Sequence, residues 1–460
     1  MKNSSFLFLA SLCIAGSAGA QTLPPIRQLG PVTRVGTEPL GAVSSVRQLP
    51  GGRVLVNDIV GRRVVLFDST LTQFTVVADT TSATANAYGA RPGGLIPFRG
   101  DSTLFVDPAS LSMLVIDPNG KMGRVMSVPR ANDAGFLIGG PFGFPGFDQQ
   151  GRLIYRAPPR INFTGGGGPG RMPQIPQPPD SAAIVRVDLA TRSVDTLTWF
   201  KTPKIQMQMT HTPDGGVRIN ASMNPFPQTD DWAVLPDGTI ALVRTKDYHV
   251  DFLSPDGKLT SAPKIPFQWE RLTDSAKVAV IDSARAALER NRANAAAGGA
   301  AGAALSGGGF AVQIGGPESR AERTRAGAPA APAPSPTAQP GTATITTGGN
   351  TTVTAIGPGG AGLGGPGFMP TMVSPTDLPD YRPAFGPGSI RTDAEGNLWI
   401  RTSQNVDARP VYNVVNREGA LIDRVQLPKN RVLAGFGTGG VVYLAVRDGT
   451  TAHLEAARVK

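Results

Sequence analysis

Three arginines occupy the same place in a repeated pattern. Arg156, Arg244 and Arg401 each end the apolar strand that follows a glycine-centred turn (152–156, 239–244 and 397–401), and Thr245 and Thr402 follow the last two. Guanidinium groups grip carboxylate, phosphate or sulfate through forked hydrogen bonds. If equivalent strand ends face one cavity, Arg156, Arg244, Arg401, Thr245 and Thr402 form a ligand-binding set for an anion. The competing use of the same arginines is ion pairing with neighbouring acids such as Asp107, Asp231 or Asp247.

Other chemistry is sparser. Asp58, Asp107, Asp230 and Asp231 stand near strand starts or ends, where carboxylates suit a hard cation, but no loop alternates Asp or Asn with glycine around them. Asp68, Asp117 and Asp188 close the second strands of three copies and read as turn formers, since an Asp side chain accepts backbone N–H bonds there. The three histidines, His211, His249 and His453, fall at different points of the pattern, the first in an irregular segment, so no shared histidine metal site is expected. There is no Gly-x-Ser-x-Gly elbow, and no glycine run ends in the Lys-Ser/Thr of a phosphate loop. The sequence therefore assigns no catalytic residue, no metal and no cofactor.

Six copies of one unit would position these residues. The fullest copy lies in residues 392–428, where a turn at 394–396 precedes a strand at 397–401, a second strand runs over 412–415, and a turn at 416–419 leads to a third. Weaker copies pair 53–57 with 64–68, 103–107 with 113–117, 152–156 with 184–188, 239–244 with 250–253 after a strand at 231–235, and 441–445 with 452–456. Val54 to Val64, Leu104 to Leu114 and Ile240 to Val250 each span ten residues. A twisted sheet of three or four strands cannot bury both faces alone. Radial stacking in a closed ring covers every face and leaves short edges, which predicts a β-propeller of six blades. Alternation predicts that Leu398 and Ile400 point opposite to Trp399 and Arg401. Residues 26–38 precede the first copy, and Arg34 and Val35 are expected to give the last blade its outer strand.

Two stretches interrupt the repeat. Residues 158–179 are rich in glycine and proline. The longer one, 268–380, begins with an alanine-rich helical pattern at 273–294, with Val278, Ile281, Ala284 and Leu288 on one side, and continues as Ala/Pro/Gly- and Thr/Gly-rich sequence to 367 that cannot bury a core. Closing a loop of roughly 110 residues instead of roughly six costs only about 2 to 3 kcal/mol of chain entropy, so a ring can carry it.

At the N-terminus Lys2, an apolar run at 6–15 and the small residues 17–20 have the order of a secretory signal peptide, with cleavage after Ala20. The single cysteine, Cys13, lies inside it, so no disulfide or thiolate chemistry is expected in the exported chain. Leu12 in place of a small residue argues against a lipid anchor, and no stretch reaches the roughly 20 apolar residues of a membrane helix. The formal charge of +10, or +9 without Lys2, favours anionic neighbours only as a screened attraction. No basic run is interleaved with aromatics, so no specific nucleic-acid partner is expected.

The glycine turn, apolar strand and second apolar strand ending in Asp-x-x-Gly resemble the six-bladed propellers of the NHL and TolB-like class found in exported bacterial proteins. Trp-Ala-Val-Leu-Pro-Asp-Gly at 232–238 and Asn-Leu-Trp-Ile-Arg-Thr at 397–402 are similar to uncharacterised secreted members. The resemblance runs from about residue 43 to 459 outside the interruptions, and implies an architecture without assigned active residues. The expected organisation is a signal peptide at 1–20, blades one to four at 21–267, an insertion at 268–380 and blades five and six at 381–460. The expected function is that of an exported, non-catalytic propeller binding an anionic ligand or a protein of the cell envelope, with oligomeric state left open. The alternatives are a hydrolase or lyase with a metal or acid pair in the central channel, and an adhesin using the Ala/Pro/Gly arm.

Overall fold

The paired apolar strands of each copy assemble, in a computed structural model, into six sheets. The structure describes residues 23–159, 178–204, 206–211, 217–296, 342–347, 351–356, 368–449 and 451–459. The segment expected to be a signal peptide, with Cys13, most of the Gly/Pro-rich stretch after residue 159 and the Ala/Pro-rich arm lie outside them. Blade one comprises Val43–Gln48, Val54–Asp58, Arg63–Phe67 and Phe74–Ala78; blade two Gly94–Pro97, Thr103–Asp107, Ser112–Ile116 and Met122–Ser127. Blade three comprises Gly146–Phe147, Leu153–Arg156, Ser181–Val187 and Val194–Lys201; blade four Asp231–Val234, Ile240–Arg244, His249–Leu253 and Leu259–Ser261. Blade five is Phe385–Thr392, Leu398–Val406, Arg409–Val415 and Leu421–Gln426, and blade six is Arg431–Gly437, Val441–Asp448 and Thr451–Arg458.

The N-terminal segment completes the ring. Val32–Val35 pairs antiparallel with the last strand, Val32 opposite Ala457 and Arg34 opposite Ala456, so blade six receives its fourth strand as the sequence predicts. Just before it, Ile26–Gln28 adds a fifth, parallel strand to the outer edge of blade five, opposite Arg424–Gln426. Both strands cover edges that would otherwise expose unpaired backbone groups.

Core residues fall into six clusters, one between each pair of adjacent blades. Ile154 and Ile184 meet Trp232 and Leu242 between blades three and four, while Ala241 and Val243 meet Phe385, Leu398 and Ile400 between four and five. Trp399 and Tyr412 meet Leu433 and Leu444 between five and six, and Tyr443 and Ala445 meet Val54 and Val65 between six and one. Leu398 and Ile400 thus face one neighbour and Trp399 the other, as alternation requires. Each fully buried aliphatic side chain contributes about 1.5 to 3 kcal/mol, and both sides of every blade contain them.

The insertion is fastened at its roots. Arg382 N donates to Glu270 O at 2.9 Å and Leu272 N to Asp380 O at 2.8 Å, with Arg271 bridging Tyr381. The expected helix is present as Asp274–Ala296, anchored by buried Leu272 and Ile281 and by an ion pair of 2.8 Å between Lys277 and Asp380. Two features differ from expectation. The segment containing His211 is the strand Gln206–His211, paired with Val217–Met223, which also pairs in parallel with Phe368–Met372. Within the threonine-rich part, Thr342–Thr347 and Thr351–Ile356 form a hairpin, as a run of β-branched residues favours.

Candidate functional site

Four aspartates near strand ends have their carboxylates occupied by the fold. Asp58 accepts from Gly41 N at 3.0 Å, from Ala42 N and Gly61 N at 2.9 Å, and from Arg63 Nε at 3.1 Å, latching the entry of blade one to its own turn. Gly61 is required by this approach, because a Cβ there would lie 2.8 Å from Asp58 Cγ. Asp107 accepts from Ala109 N and Ser110 N inside one turn, at 3.1 and 3.2 Å. Asp230 accepts from Lys201 N and Thr245 N at 3.1 and 3.0 Å. Asp68, Asp117 and Asp188 likewise accept backbone N–H groups of the following turns, the role the repeat predicts.

Asp231 is the exception in placement. It begins the first strand of blade four, accepts from its own neighbour Trp232 N at 2.9 Å, and reaches the first strand of blade five through Ser389 N at 2.8 Å and Ile390 N at 3.2 Å. The residue is 3% exposed. Burial pushes its carboxyl up to about 7, against the opposing pull of the three N–H donors and of Arg391.

Two half-buried guanidiniums share this neighbourhood, and Asp231 acts electrostatically on both. Arg156 lies among three rings, its Cζ 5.6 Å from the centroid of Phe136, 5.2 Å from Phe142 and 5.6 Å from Phe200. Arg391 lies over Phe144 at 3.4 Å. Burial lowers both to about 10, with Asp231 drawing Arg156 upward, and Tyr412 and then Asp231 drawing Arg391 upward. Arg156 Nε and Arg391 Nη1 are shielded from solvent and have no hydrogen-bond partner among the described residues. Two cations therefore lie within electrostatic reach of one carboxyl, with cation–π contacts and no ion pair among the described residues.

The segment 139–144, Gly-Gly-Pro-Phe-Gly-Phe, brings the rings into place. It enters blade three, hydrogen-bonds blade four through Trp232 Nε1 to Phe142 O at 3.1 Å, bridges Phe144 to Ala233, and reaches the first strand of blade five at Gly388. Gly388 has φ of +69°, and a Cβ on it would sit 2.9 Å from Pro141 Cα, so only glycine fits.

The other arginines and threonines of the expected set have local partners. Arg244 pairs with Asp230 at 3.0 Å and Asp251 at 2.7 Å inside blade four, rather than with Asp107, Asp231 or Asp247. Thr245 gives its N–H to the same Asp230, and Thr402 Oγ1 donates to Val411 O at 2.9 Å within blade five. Arg401 stands across from Tyr412 in the strand register. Of the expected five, Arg156 alone stands in the Asp231 neighbourhood. His249 lies 3.2 Å from Asp251 and His453 3.6 Å from Glu455, in different blades. Among the described residues no group of three or more His, Cys, Asp or Glu side chains is placed to hold a metal, and no helix is long and apolar enough to cross a membrane. Arg391 escapes a sequence reading because it lies in an irregular first strand without a repeat signature. The alternation of glycine and phenylalanine at 139–144 was the available signal.

No protein-family model and no curated protein matches the sequence. Among solved structures, the chain is similar to a gluconolactonase from Xanthomonas campestris at 10% identity, covering 94% of this chain and 99% of that one with a TM-score of 0.37. It is similar to a streptogramin B lyase at 11% identity, with coverage of 91% and 94% and a TM-score of 0.35. A calcium-binding protein, regucalcin, from Agrobacterium tumefaciens gives 11%, 95% and 98%, and 0.35. The expectations of a non-catalytic binder and of no enzymatic activity are corrected on this finding: propellers named as a lactonase and a lyase stand among the neighbours. At these identities and scores no activity passes to this chain, and its chemistry rests on its own residues.

Proposed function

We propose that the protein is a hydrolase or lyase that works by acid–base chemistry at Asp231, with Arg156 and Arg391 holding the substrate's negative charge. The observation that carries this reading is one buried carboxyl within electrostatic reach of two guanidiniums that have unpaired donors. An acid–base group is most effective when it ionises near the working pH, and Asp231 does so close to neutrality. Guanidiniums lacking carboxylate partners are suited to a substrate carboxylate or to the oxyanion that develops in ester cleavage or in proton abstraction beside a carbonyl. Phe142 and Phe144 would then be the apolar wall against which the substrate is seated.

The test is turnover of a panel of γ- and δ-lactones and aryl esters followed by pH-stat, with β-elimination followed by ultraviolet absorbance. Asp231→Asn is expected to lower kcat by about a hundredfold or more, and the wild-type rate is expected to titrate near pH 7. A substrate turned over equally well by D231N removes the proposal, as does absence of turnover across the panel.

Membership of the NHL and TolB-like class and export after cleavage at Ala20 belong to the same reading. The Asp-x-x-Gly turns and the order of charge, apolar run and small residues support them. Gln21 as the first residue of periplasmic protein, found by N-terminal sequencing, is the expected result.

A further inference from the structure

Beside blades four and five lies a cleft that the Asp231 chemistry does not use. It forms because residues 267–272 leave blade four and 270–272 pair with 380–382, and Phe267, Trp269, Glu270, Arg382, Ser403 and Gln404 line it. Its volume is about 270 Å³, at the lower end of small-molecule sites and enough for one ring.

One wall is aromatic and rigid. Phe267 stands edge-on to buried Tyr248 at 5.4 Å, and Trp269 stands edge-on to Phe267 at 5.2 Å. Trp269 nevertheless remains 42% exposed, so a large apolar surface borders a polar cleft. The opposite wall is a set of fixed polar groups. Gln404 is held by Nε2 donating to Gln268 O at 3.0 Å and by Arg424 Nη2 donating to its Oε1 at 2.9 Å. Arg382 and Glu270 form an ion pair of 2.7 Å, so the cleft's charges cancel. Arg382 is also stacked on Phe226 at 4.9 Å, which fixes the guanidinium plane.

Beyond those two bonds Gln404 keeps a second N–H and a second lone pair, and the Glu270 side chain is 59% exposed. Covering such polar groups with a ligand that cannot pair with them costs about 1 to 3 kcal/mol each. An apolar ligand would leave Gln404 and the ion pair unsolvated. A charged ligand would have to break the Glu270–Arg382 pair. The remaining chemistry is a neutral ring with C–H groups on one face and hydroxyls along its edge.

We infer that this cleft binds a single neutral sugar ring or cyclic polyol, stacked on Trp269 and hydrogen-bonded to Gln404 and the Glu270–Arg382 pair. The site is separate from Asp231 and stands independently of the proposed reaction. Titration of the full chain with glucose, galactose, N-acetylglucosamine and myo-inositol, by calorimetry and saturation-transfer NMR, tests it. Saturable binding with Kd on the order of 1 mM is expected for at least one of the four. Trp269→Ala should weaken it about tenfold and Gln404→Ala severalfold, while Asp231→Asn leaves it unchanged. Lack of saturation by every probe up to about 50 mM overturns the inference, and so does binding that both W269A and Q404A retain with unaltered circular dichroism.

Discussion

The guanidinium of Arg391 lies on the ring of Phe144, Cζ 3.4 Å from its centroid, although Arg391 belongs to blade five and Phe144 to the entry of blade three. Blade four lies between them, so the contact spans the inner edge of the ring. It joins non-adjacent blades through a segment whose glycines have φ of +82°, +78° and +88° at 139, 140 and 143. Phe144→Ala should remove the cation–π contact, worth about 2 kcal/mol or more where desolvated, and lower the melting temperature by a few degrees. A melting curve unchanged by F144A would show that the ring is supported elsewhere.

Gly388→Ala tests the same crossing from the other side. The added methyl meets Pro141, and the backbone is left-handed at φ +69°. A loss of about 1 to 3 kcal/mol in urea unfolding is expected. A neutral G388A would mean that segment 139–144 does not press on blade five.

The pH dependence of stability should reveal Asp231. Its folded value of about 7 lies above the ordinary 3.8, so between those pH values the native chain holds a proton that the unfolded chain has released. The associated stability is fully present below about pH 4 and is lost as pH rises to about 7, at about 1.4 kcal/mol per pH unit. Asparagine cannot titrate. The stability of wild type relative to Asp231→Asn should therefore decline across this window and level off above it. A difference that is flat, or that grows with pH, contradicts the burial argument.

Asp58→Ala removes acceptors for three backbone N–H groups and one of the two carboxylate partners of Arg63, leaving it Glu38. Each buried donor left unpaired costs about 1 to 3 kcal/mol, so D58A should be among the most destabilising single changes in blade one. Asp117→Ala, in an exposed turn, is expected to cost less than about 1 kcal/mol. Equal effects in chemical denaturation would remove the distinction.

Replacing residues 297–367, between the helix Asp274–Ala296 and the strand Phe368–Met372, by a short glycine-serine linker should leave the melting temperature within a few degrees of wild type. The roots at 270–272 and 380–382 are paired without the intervening chain, and a shorter loop costs less entropy. Cooperative unfolding lost on this replacement would assign the insertion a part in the ring.

Much of the ring could be read from the sequence because the second and third strands of each blade carry it openly. Val54, Leu104 and Ile240 lead strands covered on both sides, and their ten-residue spacing to the next strand is set by a turn whose Asp or Gly is obligatory. First strands are less regular. Phe385–Thr392 contains Gly-Pro-Gly and shifts register between Phe385 and Ile390, and Gly146–Phe147 is only two residues long. These strands approach the axis, where neighbouring backbones and the 139–144 segment dictate shape more than alternation does. Asp231 and Arg391 both lie in first strands, which is why Arg391 is absent from the expected set and Asp231 enters it only as a possible cation ligand or arginine partner. Arg244 misled for a different reason: equivalent repeat positions need not have equivalent partners, and blade four supplies both Asp230 and Asp251.

The outer strands at the N-terminus bear on the order in which the chain is made. Arg27 donates to Asp423, 396 residues later, and Val32–Val35 waits for the final strand of blade six. The first strands to be synthesised are thus among the last to find their places, and contacts of such sequence separation are slow to form. Blades one to four can fold while their closing partners are still unmade, but the ring cannot shut before the polymer is nearly finished. An exported chain that crosses its membrane unfolded would meet this final step only on the far side, with the N-terminal strands acting as a clasp that fastens after translocation.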